Sequence, residues 1–143
     1  DIIWLTKEEC DFAYRHSTFQ SHKDWTILAA KIKLQKGDIQ KISDLMDSRR
    51  KRRMDSQPLD RPCAGSVFRN PVEIPAWKLI EQMGFRGYSV GGAQVSEKHA
   101  NFIINANNSA TAKDILDLIK LIQRTAKEEH NIELITEVEQ LNW

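Results

Sequence analysis

The chain has 143 residues, 41% of them hydrophobic, and 21 lysines and arginines stand against 20 acids for a formal net charge of +1. A chain of this size can bury one ordinary core. The charge balance argues against a polyelectrolyte partner, whether nucleic acid or membrane surface, and leaves small molecules and proteins as the expected partners. Cys10 and Cys63 follow no metal or redox spacing and no long apolar span occurs, so no metal site is expected and a cytoplasmic location is.

Residues 1–5 (DIIWL) begin without a methionine and read as a buried strand whose pairing neighbours would lie upstream, which suggests a fragment of a longer chain. Thr6 and Glu9 make a capping-box pattern at the head of a short helix ending near Phe12. From Trp25 to Leu34 the chain alternates: Leu28, Ala30, Ile32 and Leu34 share one face and Lys31 and Lys33 the other, the pattern of a half-buried strand. Gly37 and Asp38 then open a helix over residues 39–53, with Ile39, Ile42, Leu45 and Met46 at helical spacing and a basic run at 49–53.

All four prolines fall between residues 55 and 75 and keep that stretch extended. Pro75 suits the first turn of a helix over 76–83, closed by Gly84. Strands at 88–90 and 102–105 flank Gly91 and Gly92. Thr111, with Asp114, caps a long helix to about Glu129 whose core stripe is Ile115, Leu118, Ile119, Ile122 and Ala126. A last strand is expected over 132–141. Strands and helices mix without βαβ repetition, which predicts an α+β fold, a mixed sheet with helices packed on it.

Two polar segments stand out. Residues 65–71 (GSVFRNP) set a hydroxyl, a guanidinium and a carboxamide in one turn-bounded loop, and residues 91–101 (GGAQVSEKHAN) pair backbone freedom with many donors and acceptors. Together they suggest one shared polar site. Taken singly, Ser66 reads as a turn serine, Arg15 and Glu137 as surface ion-pair residues, and His99 as a hydrogen-bonded structural histidine.

The order of the motifs changes that weighting. Residues 12–19 (FAYRHSTF), 57–59 (QPL), 62–71 (PCAGSVFRNP), 91–105 (GGAQVSEKHANFIIN) and 136–139 (TEVE) resemble, in sequence and in order, the C-terminal half of the UDP-N-acetylenolpyruvoylglucosamine reductases, the MurB family, in its shorter Gram-positive-like form. The resemblance implies residues 1–55 as a remnant of an FAD-binding domain and residues 56–143 as a substrate-binding C-terminal domain. It implies an oxidoreductase of peptidoglycan synthesis that uses FAD and NADPH to convert UDP-N-acetylglucosamine enolpyruvate to UDP-N-acetylmuramate. Most of the FAD site would lie in a missing N-terminal half, so this chain alone is expected to be inactive. By motif position Ser66 would donate a proton to the carbon beside the substrate carboxylate. Arg15 would bind that carboxylate with its planar fork, and Glu137 would be the third catalytic residue; two carboxyls side by side repel unless one holds a proton. Asn70, Tyr14 and His99 match substrate-binding positions. The other class of reading is a noncatalytic nucleotide-sugar or RNA-binding module resting on the basic run at 49–53.

Overall fold

In the computed structural model, residues 1–141 are described, and they divide into two compact units, Asp1–Gly37 and the residues from Asp38 onward. Each is described by itself.

The second unit is organised by its helices. Helix α1 runs Ile39–Ser56, with Asp38 Oδ1 accepting from the Lys41 amide at 3.0 Å as its N-cap. Strand β1 is Cys63–Ser66. Helix α2, Ala76–Gln82, begins behind Pro75 and gives way to Gly84 at φ +78°, the stop its sequence predicts. Strands β2 (Ser89–Val90), β3 (Ala93–Val95) and β4 (Phe102–Asn105) follow, and helix α3, Ala112–His130, closes the set. The expected box starts α3: Thr111 Oγ1 accepts from the Asp114 amide at 3.1 Å, and Asp114 Oδ2 accepts from the Thr111 amide at 2.9 Å.

Sheet order is β1-β4-β3-β2. The class is α+β, as expected, but all three pairings are antiparallel where a mixed sheet was expected. Connections such as residues 91–92 between β2 and β3 are too short for the crossover that a parallel pair needs. Helices α2 and α3 touch each other, and α3 also lies on β2 and β3. Leu118, Ile119, Ile122 and Ala126 of α3 join Leu79 and Ile80 of α2, Ala93, Val95 and Ile103 of the sheet, and Phe68 and Leu134 in one core. Burial of that stripe, each large side chain contributing about 1.5–3 kcal/mol, is what holds helix to sheet.

Several expected elements are absent, each for want of a partner. Residues 1–5 and 25–34 form no strand; Ile3 is 60% exposed and Leu34 83%. Alternation alone leaves a row of unpaired amides and carbonyls, and no ladder reaches these segments among the described residues. The Thr6–Glu9 box does form, with the Thr6 amide donating to Glu9 Oε2 at 2.7 Å, but the helix it opens stops after one turn at Asp11, where φ is +47°. The final strand over 132–141 shrinks to a single bridge, Phe68 to Thr136. Helix α1 forms over its expected residues, yet its apolar positions Ile39, Ile42, Leu45 and Met46 are 49–86% exposed, and the helix buries none of its residues.

Candidate functional site

Ser66 is the last residue of β1, and the backbone before it explains its setting. Cys63 pairs with Ile104 but Ser66 with Phe102, so β1 carries an extra residue against β4. That bulge holds Gly65 at φ +86°, with nothing within 4 Å of where a Cβ would sit. Glycine is therefore required here by backbone conformation and not by space. A bulge re-aims the residue that follows it, and the residue that follows is the half-buried Ser66.

Beyond Ser66 the main chain is gripped from two sides. The Val67 amide donates to the Asn101 carbonyl at 2.9 Å, and the Val67 carbonyl accepts from the Glu137 amide at 2.8 Å. Asn101 Oδ1 accepts from the Phe68 amide at 3.0 Å while Asn101 Nδ2 donates to the Phe68 carbonyl at 2.8 Å. The Arg69 amide donates to the Ile135 carbonyl at 2.9 Å. Arg69 Nε is buried without a hydrogen-bond partner among the described residues.

His99 reaches the same place through its ring. Its Nδ1 accepts from the Asn101 amide at 3.2 Å, the ring lies edge-on to Phe102 with centroids 4.9 Å apart, and the Trp77 ring centroid is 6.5 Å away. An accepting Nδ1 puts the proton of the neutral ring on Nε2, an assignment made from the hydrogen-bond network. Burial holds the imidazole below its ordinary pKa, and the Arg86 guanidinium pushes the same way against a backbone hydrogen bond. Arg86 is in turn fixed by Glu81, at 2.8 and 3.0 Å, and donates to the Glu97 carbonyl. Asn70 Oδ1 accepts from the Ala76 amide at 3.0 Å, satisfying an orphan donor at the start of α2, next to Trp77.

Ser66, Glu137, His99 and Asn70 thus belong to one neighbourhood, linked by Val67, Phe102, Asn101 and the first turn of α2. A hydroxyl, a carboxyl, an imidazole N–H and a carboxamide are the donors and acceptors that a polar, anionic small molecule needs. Tyr14 and Arg15 belong to the other unit. They form the tip of a two-residue turn closed by Ala13 and His16, whose amides and carbonyls exchange bonds of 3.1 and 3.2 Å. Arg15 has φ +53°, a left-handed conformation that costs a non-glycine residue about 1 kcal/mol. Its guanidinium carbon stands 5.4 Å from the centre of the Tyr14 ring.

The Gly91–Gly92 end of the second polar segment has a different role. A Cβ on Gly92 would lie 2.3 Å from the Ala110 nitrogen, and one on Gly91 would lie 2.4 Å from Asp114 Oδ1. These glycines let β2 and β3 turn against residues 109–114; only the 99–101 end meets the Ser66 segment. An open polar cavity of about 530 Å³, lined by Arg61, Gly92, Gln94, Ser96, Lys98 and Asn107, includes none of Ser66, Asn70 or His99. Sequence reasoning missed the clasp of Asn101 and the bulge at Gly65. A glycine directly before the serine was the one available signal. Among the described residues no helix is long and apolar enough to cross a membrane and no group of three metal-ligating side chains occurs.

The fold defines a class, an α+β domain in which helices pack on an antiparallel sheet and a bulge sets Ser66 at the end of the first strand. A family model described as UDP-N-acetylenolpyruvoylglucosamine reductase, C-terminal domain, matches residues 57–141. The chain belongs to that family. It is 46% identical over 138 residues to the UDP-N-acetylenolpyruvoylglucosamine reductase of Bacillus pumilus (strain SAFR-032), covering 96% of this chain and 45% of that protein. Over the same length it is 45% identical to a protein of that name from Bacillus licheniformis, covering 96% of this chain and 74% of the other. The crystal structure of UDP-N-acetylenolpyruvylglucosamine reductase (MurB) from Thermus caldophilus matches with a TM-score of 0.63 at 36% identity, over 75% of this chain and 37% of that one. The chain spans about half the length of most of the curated relatives it matches.

Proposed function

We propose that this chain is the substrate-binding and proton-donating part of an FAD-dependent, NADPH-using reductase that converts UDP-N-acetylglucosamine enolpyruvate to UDP-N-acetylmuramate in the cytoplasm, for peptidoglycan synthesis. Family membership supports the reaction, and the observation that carries the role of this chain is the bulge at Gly65, which singles out Ser66 from an otherwise regular strand. In this reading residues 1–55 belong with the flavin-binding domain and residues 56–143 form the substrate domain.

In this reading the flavin and its reductant are held by the part of the complete reductase that this chain, which covers 45% of the Bacillus pumilus relative, does not include. FAD and NADPH are accordingly assigned to the remainder of the complete reductase, and this chain alone is assigned no turnover. Its residues act on the substrate. Once a hydride has been added to the terminal carbon of the enolpyruvyl group, the electron pair of the double bond moves onto the neighbouring carbon and the carboxylate, as an enolate. Ser66 Oγ–H gives its proton to that carbon, completing the saturated lactyl ether, and the alkoxide regains a proton from solvent. A serine is a weak acid, but the enolate is a strong enough base to match it. The Arg15 fork offsets charge that grows on the carboxylate as the enolate forms, and Glu137 faces the same group. Asn70, Tyr14 and His99 hold the UDP-sugar, His99 through its Nε2–H.

A Ser66→Ala change in the complete reductase is expected to leave reduction of the flavin by NADPH intact and to stop its reoxidation by the enolpyruvyl substrate. Turnover surviving within about tenfold of the parent would remove Ser66 from the reaction.

A further inference from the structure

We infer that Asn101 is a positioning residue for the proton transfer, one residue whose side chain and backbone together fix the segments that carry Ser66, Glu137 and His99. The inference rests on the reading given under Proposed function and adds a residue to it.

The geometry is specific to a carboxamide. Asn101 is 5% exposed, and its side chain makes two bonds to one residue, accepting from the Phe68 amide and donating to the Phe68 carbonyl. Only a group with a donor and an acceptor side by side can do both. The Asn101 backbone serves the same end, since its carbonyl accepts from the Val67 amide and its amide donates to His99 Nδ1. Val67 is the residue after Ser66, and its carbonyl holds the Glu137 amide. One buried residue therefore touches the strand that carries Ser66, fixes the segment that seats Glu137, and sets the tautomer that gives His99 an Nε2–H to offer. The Phe68 amide and carbonyl are both buried, so losing Asn101 leaves two strong main-chain groups unsatisfied just past the bulge, and the main chain must shift to find partners. Ser66 moves with it, and a displacement on the order of 1 Å is enough to cost a positioned proton transfer about a hundredfold.

Asn101→Asp gives the decisive test because its two protonation states differ in this one property. A carboxylate can accept from the Phe68 amide but has nothing to donate to the Phe68 carbonyl. A protonated carboxyl has one O–H and one C=O and restores the pair. In the complete reductase at neutral pH, Asn101→Asp is expected to slow flavin reoxidation by the enolpyruvyl substrate at least tenfold while flavin reduction by NADPH stays within twofold of the parent. As the pH falls, reoxidation should recover relative to the parent measured at the same pH, a ratio that cancels the shared titration of His99. Asn101→Ser, whose hydroxyl does not span the gap, should lose reoxidation with no recovery in acid, and it decides by the half-reaction split alone should Asn101→Asp not fold. Unchanged reoxidation in both variants, equal losses in both half-reactions, or no acid recovery in a folded Asn101→Asp would overturn the inference. The parent reading fails separately, if the unmodified reductase does not reoxidise its flavin with this substrate at all.

Discussion

Gly65 shows how one residue without a side chain governs another's chemistry. Its φ of +86° costs an alanine about 1–2 kcal/mol, and there is no steric neighbour to add to that penalty. Gly65→Ala is thus expected to lower the stability of the chain by about that amount in urea unfolding, and to move the amide resonances of Ser66 and Phe102 while leaving those of α3 in place. An unchanged midpoint would mean the bulge relaxes to a conformation that alanine accepts. His99 makes a second residue-scale prediction, this time in pH. Its folded-state pKa lies below the unfolded value, so the unfolded chain binds the proton more tightly. Stability from this group is complete above the unfolded histidine value, about 6.5, and is lost as the pH falls through the depressed folded value. His99→Gln should flatten that slope in urea midpoints taken between about pH 7 and pH 5. An equal slope in both proteins would assign the loss to other groups.

At the scale of elements, helices α1–α3 were legible and the strands only in part: β2 and β4 form at the expected 88–90 and 102–105, while β1 and β3 were not expected. Helices α1, α2 and α3 announce themselves through local chemistry: Asp38, Pro75 and the Thr111–Asp114 box mark their starts, and the 118, 119, 122, 126 spacing marks the buried face. Strand pairing is a relation between distant segments. Residues 25–34 alternate well and find no partner, while β3, only Ala93–Val95, hides behind two glycines yet pairs on both sides. The site followed the same division. Ser66 and Asn70 lie in a loop whose composition is unusual in itself, but Asn101 gains its meaning from Phe68, thirty-three residues away, which no local pattern encodes. Gly92 tests the element scale directly. Its missing Cβ is what lets the β2–β3 turn close on Ala110, a backbone atom that cannot step aside, so Gly92→Ala is expected to prevent the helix–sheet packing altogether. Thr111→Ala should be mild by comparison, costing about 1 kcal/mol through loss of the cap. Should Gly92→Ala melt within a few degrees of the parent by circular dichroism, the close approach would not be essential.

For the whole molecule, net charge and family membership pull against the one feature that suggests nucleic acid. Arg49, Arg50, Lys51, Arg52 and Arg53 are exposed on α1, but Asp44, Asp47 and Asp55 lie on the same helix and the chain carries a formal charge of only +1. Nonspecific binding to RNA needs a field that this balance does not supply. In the proposed reading, the neighbourhood around Ser66 instead serves one small polar ligand. Titrating this chain with UDP-N-acetylglucosamine enolpyruvate should shift the amides of residues 65–70 and 99–101, where the Ser66 and His99 segments meet, more than those of residues 91–92, whose glycines are turned against residues 109–114. Shifts confined to the first two groups, even at millimolar affinity, would mean that the substrate neighbourhood recognises its ligand without flavin. Shifts centred on Arg61, Gln94 and Asn107 would move recognition to the open cavity on the other residues of the sheet, and Ser66 would then have no ligand to protonate.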